Sequence, residues 1–482
     1  MRNTLPWSEF ESSIAVMTEI TKTEDDLSLV GHVVSSTENF PRGEVRIRDG
    51  HIVSVSGTAS EEPYGQRIDV GDKLILPGVI DPHVHCLSYE GEGIEAGTRS
   101  AAAGGVTTIL EMPFDAEGPI WSVPAFQEKR TRVEREAHVD VGMYATVKPG
   151  GEGIKEISGL AEAGACCFKV STFHTDPNRF PRTPDNELIE VFEEIAQTGR
   201  RVCVHAENNE IVQAKVEELK DRGEEDPRLH CAARPPVTET AAVANVLELG
   251  REIGVKLHFC HISTPRAVDL VRWYSSEGSP ATVEVCPHYL TLTEKDMLER
   301  GAWLKCNPPL RTSEDVDGLW ERFREGQIDA IASDHAPWPR HYKDKKNIFD
   351  NASGGPGVET LLPVTASEAL HTRGIDPSEL VRTTSTRVAS AFGLDDRKGD
   401  LRAGLDADIV VFDADHKWVL DEAQLHSTAG WSPFHGRALQ GRVEMTFSRG
   451  ELIWDGTKVL SQPGRGRFLK PNYQDKPVSE PV

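Results

Sequence analysis

The sequence predicts an α/β protein, a (β/α)8 TIM barrel with a small β-sandwich domain built from both chain ends. Three observations support this prediction. Eight short apolar runs recur between about residues 79 and 335, and stretches of helical length separate them. The two flanks of the chain instead show strand-like alternation without helical periodicity.

The eight runs have the character of strands that are buried on both faces. Their apolar residues are nearly continuous, as in the strands of a parallel sheet. An open doubly wound sheet is the alternative, but no GxGxxG motif follows the first run. The runs are VIDPHVH (79–85), VTTILEMP (106–113), VGMYATV (141–147), ACCFKVS (165–171), RVCVHAE (201–207), KLHFCHI (256–262), TVEVCP (282–287) and DAIASDH (329–335).

The stretch after the fourth run shows how the helices are recognised. Thr183 suits an N-cap, Pro184 the first helical position and Gly199 the position after the helix end. Apolar residues at helical spacing between them predict one buried stripe. The stripe consists of Leu188, Val191, Phe192 and Ile195.

The flanks predict a second, smaller domain. Segments such as EVRIRDGHIVSV and DADIVVFD alternate in the manner of strands and are bounded by turn residues. We expect residues 27–76 plus 401–470 to form the β domain and 77–400 the barrel. Residues 1–26 form a polar N-terminal extension and 471–482 a C-terminal tail in this interpretation.

Composition excludes several classes of protein. The 482 residues carry a formal net charge of −24, which argues against a nucleic-acid binder. No apolar run approaches the roughly 18 to 20 residues of a membrane helix, and the first residues lack a secretion signal. The eight cysteines form no CxxC pair and lie in apolar runs. We therefore expect buried thiols in a cytoplasmic protein with no membrane or nucleic-acid partner.

Polar residues interrupt the apolar runs at their C-terminal ends. His83 and His85 are two residues apart, so their side chains leave the same face of the first strand. Each such residue taken singly is more often structural than functional, but together they converge on the mouth where barrel active sites lie. The remaining members of the set are Lys169, His205, His261 and Asp334.

These residue types suit a metal site. Imidazole nitrogen and carboxylate oxygen are ligands for a borderline ion such as Zn²⁺. A protonated lysine cannot ligate a cation, but burial of Lys169 favours the neutral amine. That amine can add carbon dioxide to give a carbamate, which reaches two ions about 3.5 to 4 Å apart. A Schiff-base lysine is the alternative.

The ordered motifs resemble those of the cyclic amidohydrolases in the amidohydrolase superfamily, most closely the allantoinase, L-hydantoinase and dihydropyrimidinase-like branch. The similarity runs from about residue 28 to about 470. The motifs that carry it are GVIDPHVHCLSYEGEGIEAGTRSAAAGGVTTILEMP, GACCFKVST, VCVHAEN, HFCHIST, EVCPHYL, CNPPLR, ASDHAPW and SPFHGRALQGRVEMTFSRGELIWDG.

The resemblance implies two divalent metal ions, zinc by default, bridged by carboxylated Lys169. His83, His85 and Asp334 would hold the first ion, and His205 and His261 the second. A metal-bridging hydroxide would open the ring, with catalytic Asp334 as base and then acid. His258 falls on the opposite face of its strand and is left out of the ligand set.

Departures from related enzymes bear on the substrate. Dihydroorotases carry an arginine directly after the His-x-His, where this chain has Cys86. Dihydropyrimidinases place a tyrosine shortly after the bridging lysine, where this chain offers Ser171 as the nearest hydroxyl. Both differences favour allantoin or a 5-substituted hydantoin, opened to allantoate or an N-carbamoyl amino acid.

Three further residues resemble the places where the family binds the ring by its backbone. Asn307 lies in CNPPLR, and Gly354 and Gly355 lie in GGPG; two ordinary turns are the alternative. The loops at 88–92 and 174–181 follow the first and fourth strands, where barrels select substrates. The segment HTDPNRFP in the second loop matches no allantoinase pattern, so the substrate stays open.

Other interpretations are a dihydropyrimidinase or another imide or lactam hydrolase, a mononuclear deaminase and a non-catalytic scaffold. A deaminase would lack the bridging Lys169. A scaffold has no chemical reason to bury the whole ligand set around one cavity. The expected partner is a small cyclic amide of purine catabolism, and the resemblance implies a homotetramer.

Overall fold

The computed structural model describes residues 26–62, 64–89, 91–176, 178–222 and 225–473. Within these ranges the chain forms seventeen strands. They are β1 (Leu27–Val34), β2 (Asn39–Arg48), β3 (His51–Ser56), β4 (Gln66–Pro77), β5 (Val79–Val84), β6 (Val106–Glu111), β7 (Phe114–Asp115), β8 (Gly118–Pro119), β9 (Asp140–Thr146), β10 (Cys167–Ser171), β11 (Arg201–His205), β12 (Lys256–Phe259), β13 (Ala281–Val285), β14 (Ala330–Ile331), β15 (Ile409–Val419), β16 (Ala438–Ser448) and β17 (Glu451–Trp454).

Fourteen α-helices connect the strands of the described chain. They are α1 (Gly93–Ala103), α2 (Val123–Glu136), α3 (Ile157–Ala163), α4 (Asp185–Gln197), α5 (Asn209–Asp221), α6 (Leu229–Ala233), α7 (Pro236–Ile253), α8 (Pro265–Ser276), α9 (Pro287–Thr291), α10 (Met297–Arg300), α11 (Ser313–Arg324), α12 (Leu361–Ala366), α13 (Pro377–Val381) and α14 (Arg387–Ala391). π-helical turns continue α12 over Ser367–Thr372 and α13 over Arg382–Thr386.

Eight parallel strands form the barrel, in the order β14-β13-β12-β11-β10-β9-β6-β5. A parallel bridge between Val84 and His335 closes the circle, and the His85 N–H donates to the His335 carbonyl at 2.9 Å. Each predicted apolar run overlaps one of these strands. The predicted barrel is therefore confirmed.

Two strands end three or four residues before the ends of their apolar runs. β12 ends at Phe259 and β14 at Ile331, so His261 and Asp334 lie just beyond them. Both residues have positive φ, +39° for His261 and +48° for Asp334. Non-glycine residues rarely adopt this conformation, and it concentrates at functional sites. The turn directs both side chains over the barrel mouth.

Helix α4 differs from the prediction at its start. Its N-cap is Pro184, whose carbonyl accepts from the N–H groups of Glu187 and Leu188. The predictions of Thr183 as N-cap and of Pro184 as the first helical position are therefore wrong by one residue. The Thr183 N–H donates to the Ser171 carbonyl, which ties this part of the chain to β10. The predicted apolar stripe is buried, and Gly199 follows the helix with φ +70°.

The small domain draws its strands from both ends of the chain, as predicted. Its seven strands follow the order β17-β16-β15-β4-β1-β2-β3. Residues such as Leu29 and Val45 from one arm share a buried cluster with Ile409 and Phe447 from the other. The boundaries 27–76, 77–400 and 401–470 stay predictions. The predicted extension 1–26 lies outside the described residues except for Asp26, as does the tail beyond residue 473.

All eight cysteines are buried and unpaired, as the sequence predicts. No helix among the described residues is long and apolar enough to cross a membrane. After the small domain, the chain returns to the barrel, where Phe468 bridges Val141 at the start of β9 and the Leu469 N–H donates to the Val141 carbonyl.

Candidate metal centre and active site

Three predicted ligands meet at the C-terminal mouth of the barrel. The Nε2 atoms of His83 and His85 are 3.3 Å apart. Asp334 Oδ1 lies 3.3 Å from the first of these atoms and 3.7 Å from the second. One ion could contact all three atoms, because they converge from β5 and from the loop after β14.

A second pair of histidines lies beside this group. Nδ1 of His205 is 3.0 Å from Nε2 of His261. The rings of His83 and His261 are 5.2 Å apart between centroids, so the two groups are neighbours. The pair therefore offers two nitrogens for a second ion next to the first.

Lys169 is buried on β10, and its charge helps to lower the pKa of all four histidines. No hydrogen bond of ordinary geometry joins its Nζ atom to another described residue. A buried amine without a partner is costly. The donor set thus fits a group that extends this amine and reaches both histidine clusters.

The electrostatics of Lys169 differ from the expectation that burial keeps the amine neutral. Burial lowers its pKa, but Cys260 just after β12 and Glu284 on β13 outweigh burial, and the net direction of the pKa is upward. Neither residue lies in ACCFKVS, the apolar run around Lys169, so their effect on its pKa could not be predicted from that run.

The other ligand candidates are tuned mainly by burial. Burial holds the pKa of each of the four histidines below its ordinary value, and that of His83 falls to about 4. Neutral imidazoles keep a lone pair for a cation. Burial also raises the pKa of Asp334 to about 8, against the opposing charge of Lys169. A neighbouring cation would favour the charged carboxylate.

Glu284 on β13 orients His83, and the sequence analysis did not predict it as a site residue. His83 Nδ1 donates to Glu284 Oε1 at 2.6 Å, which leaves His83 Nε2 free to face Asp334. The same carboxylate accepts from His258 Nε2 at 2.9 Å and from the His261 N–H at 3.0 Å. A carboxylate behind a ligand histidine is a common feature of metal sites. The sequence feature that could have indicated Glu284 is a charged residue within the apolar run TVEVCP.

Glu207 performs the same task for the second group. His205 Nε2 donates to Glu207 Oε2 at 2.8 Å, which turns Nδ1 toward His261. Arg234 Nη1 donates to the same oxygen at 2.6 Å. Although burial opposes ionisation, Arg234 and His205 hold the pKa of Glu207 well below its usual range. The second group is thus also held in one orientation.

The predicted glycines lie beside Asp334. Gly354, Gly355 and Asp334 line one cavity together with His288 and Cys306. The Gly354 N–H already donates to the Lys305 carbonyl at 2.8 Å. A Cβ atom at Gly354, where φ is +105°, would lie 2.6 Å from the Ala336 side chain. The short distance to Ala336 explains why residue 354 is glycine. A role of Gly354 and Gly355 in substrate binding stays a prediction.

The other two predicted substrate residues differ in their surroundings. Ser171 is buried, and its hydroxyl donates to the Phe173 carbonyl at 2.7 Å, so it is turned into its own loop. Asn307 has a buried Oδ1 atom that accepts no hydrogen bond from the part of the chain described. Both assignments stay predictions.

The chain is similar to known proteins over most of its length. A model described as the amidohydrolase family matches residues 74–453. The chain is 37% identical to an allantoinase of Rubrobacter xylanophilus, over 89% of this chain and 94% of that protein. It is 33% identical to an L-hydantoinase of Paenarthrobacter aurescens, over 91% and 97% of the two chains. The solved L-hydantoinase (dihydropyrimidinase) from Arthrobacter aurescens superposes with a TM-score of 0.89 at 32% identity, covering 92% of this chain and 100% of that one. The chain belongs to the amidohydrolase family.

Proposed function

We propose that this protein hydrolyses a C–N bond in a cyclic amide. The substrate is allantoin, giving allantoate, or a 5-substituted hydantoin, giving an N-carbamoyl amino acid. The observation that carries the proposal is the convergence of His83, His85 and Asp334 beside His205 and His261 at one barrel mouth. Similarity to an allantoinase over 89% of the chain and to an L-hydantoinase over 91% supports this substrate class.

Two divalent ions, zinc by default, complete the site in this proposal. His83, His85 and Asp334 would hold one ion and His205 and His261 the other, with carboxylated Lys169 reaching both. When bound, such a pair supplies a water activated near neutral pH and polarises the ring carbonyl.

The side chains of the protein then have separate tasks. Asp334 faces the cavity and accepts the proton of the attacking water, then gives it to the departing ring nitrogen. An amide nitrogen leaves poorly without that proton. Glu284 and Glu207 keep two of the histidines in the orientation that binding requires. Ser171, Asn307, Gly354 and Gly355 are the proposed contacts to the ring.

The finer assignments follow from the same family. We propose a cytoplasmic homotetramer that acts on a small molecule of purine catabolism. The eight unpaired thiols suit a reducing compartment. A dihydropyrimidinase activity is the second candidate, because a solved dihydropyrimidinase from Brevibacillus agri superposes with a TM-score of 0.86 at 26% identity.

The test is a panel of substrates given to the metal-replete protein. Allantoin, 5-isobutylhydantoin, dihydrouracil and dihydroorotate are incubated separately, and product masses are recorded. We expect allantoin or the hydantoin to gain one water, and dihydroorotate to remain closed. Opening of none of them by protein that binds two metals would contradict the proposed substrate class.

Lys169→Ala tests the bridged site. We expect loss of bound metal and of ring opening, because this variant lacks the side chain that is proposed to reach both ions. Metal content by mass spectrometry and turnover are measured on the same sample. Lys155→Ala, at an exposed lysine, serves as the control. Full activity of Lys169→Ala would rule out the bridged arrangement.

A further inference from the structure

Three loops at the barrel mouth bring an arginine against two aromatic rings. Arg179 Cζ lies 5.2 Å from the centroid of Tyr89 and 5.9 Å from that of Trp338. The two rings are themselves 3.9 Å apart between centroids. These residues come from the loops after β5, β10 and β14. A guanidinium group placed over aromatic faces is held in a defined plane.

This group directly adjoins the candidate metal centre. The rings of Tyr89 and His85 are 6.2 Å apart between centroids. His85 Nδ1 lies 2.8 Å from Ser88 Oγ, and Arg179 donates to the Ser88 carbonyl. Arg179 therefore lies beside the candidate metal centre, on the side of His85.

The charge of Arg179 is not balanced by a partner within the described chain. No described carboxylate lies within 4 Å of its guanidinium nitrogens, whereas Arg182 in the same loop pairs with Glu210. The side chain is half-buried. A guanidinium has five N–H donors. In Arg179, Nη1 donates to the Ser88 carbonyl. The remaining donors can serve a ligand.

We propose that Arg179 is a specificity-determining residue that binds a carbonyl or carboxylate oxygen on the ring substituent of the substrate. This inference rests on the proposed function and deepens it. A planar guanidinium matches a planar ureido or carboxylate group, and a hydrocarbon substituent offers it no acceptor. Ring substrates whose substituent ends in such an acceptor are thus preferred over those with an alkyl substituent.

The experiment compares three hydantoins that differ only at the ring substituent. Allantoin carries a ureido group, 5-carboxymethylhydantoin a carboxylate and 5-isobutylhydantoin an alkyl group. In Arg179→Met we expect kcat/KM to fall by about 10- to 100-fold for substrates with the acceptor, the range of a charge-assisted hydrogen bond. The alkyl substrate should change by less than about 3-fold, since it makes no such bond. Arg182→Met is the matched control and should leave the ratios unchanged.

The ratio of two substrates on one variant is independent of how much of that variant is folded. A loss confined to allantoin or to the carboxylate supports the proposal and identifies the acceptor. An equal loss on all three substrates would overturn it, because Arg179 would then only hold the loops together. Wild-type protein that opens none of the three would overturn the proposed function as well, whereas active protein with unchanged ratios would overturn the role of Arg179 alone.

Discussion

Glu284 connects two histidines and one backbone N–H from two segments of the barrel, namely β5, and β12 with the turn that follows it. Its carboxylate accepts from His83, His258 and the N–H of His261, and it is fully buried. Although burial opposes ionisation, His83 and His258 hold the pKa of Glu284 well below its ordinary value. One charged side chain thus fixes which nitrogen of His83 faces Asp334.

Glu284→Gln tests this positioning role. The amide keeps the shape of the side chain but removes the charge that accepts the Nδ1 proton of His83. We expect a loss of about 10- to 100-fold in metal affinity and in kcat/KM. Metal affinity is measured by competition with a chelator. The control is Glu299→Gln at an exposed position on α10. Unchanged metal affinity in Glu284→Gln would show that the contact is only structural.

The sequence predicted the residues that converge but not those that orient them. Histidine, lysine and aspartate at strand ends are recognisable because parallel strands finish at the same mouth. Glu284 lies about 200 positions from His83, and its pairing with that histidine depends on the barrel closing. The direction of the Lys169 pKa was missed for the same reason, since Cys260 and Glu284 come from other strands.

At the scale of elements, helix α7 holds the loop that carries His261. Glu239 near the start of α7 accepts from the N–H groups of Ser263 and Thr264, at 3.1 and 3.2 Å, and from both hydroxyls. His261 precedes these contacts and has positive φ. A strained residue persists where its surroundings fix it. The helix supplies that constraint.

Glu239→Gln is expected to loosen this loop. The amide has one acceptor oxygen where the carboxylate has two, so buried N–H and O–H donors lose their partner. We expect unfolding free energy to fall by about 1–3 kcal/mol and hydrogen exchange at residues 261–264 to accelerate. Glu252→Gln, exposed at the far end of α7, is the comparison. Equal exchange in the two variants would contradict the constraint.

The apolar runs predicted which segments form strands, but they did not predict the residues at which strands and helices begin and end. The runs through β12 and β14 continue past the last paired residue, because the turn after each strand is also buried. Helix α4 begins one residue later than predicted, because the Thr183 N–H donates to the Ser171 carbonyl on β10. Such ends depend on contacts between elements, which local sequence does not contain.

At the scale of the whole molecule, a buried charge cluster joins the barrel to the small domain. Lys398 Nζ lies 2.7 Å from Asp140 at the start of β9, 2.8 Å from Asp406 and 2.7 Å from Asp408 before β15. Arg449 also pairs with Asp140. Burial raises the pKa of Asp140, but Lys398 and Arg449 outweigh it and hold that pKa well below the ordinary value.

Lys398→Met should therefore destabilise the protein in a pH-dependent way. At pH 7 the loss of this partner leaves buried carboxylates uncompensated, which costs about 3–5 kcal/mol. A depressed carboxyl pKa stabilises the fold above the ordinary value near 3.8 and loses that contribution as the pH falls. Protonation of the carboxyls also removes the penalty in the variant, so the difference from wild type should narrow as the pH falls below about 3.8.

Urea unfolding of both proteins at several pH values provides the measurement. Lys458→Met, at an exposed lysine of the small domain, controls for the loss of one positive charge. A difference between Lys398→Met and wild type that stays constant from pH 7 to about pH 3 would argue against an electrostatic role for the cluster.

The sheet of the small domain has a consequence for how the chain is made. Strands β1–β4 leave the ribosome first, whereas their partner β15 is synthesised only after the whole barrel. At about 5–20 residues per second the delay is on the order of tens of seconds. During this time the nascent chain exposes Leu29, Val45 and the unpaired edge of β4, because β15 and β16, which finally cover them, have not yet been made. Nascent chains are thus exposed to aggregation until translation is nearly complete, and chaperone capture of β1–β4 would bridge the interval.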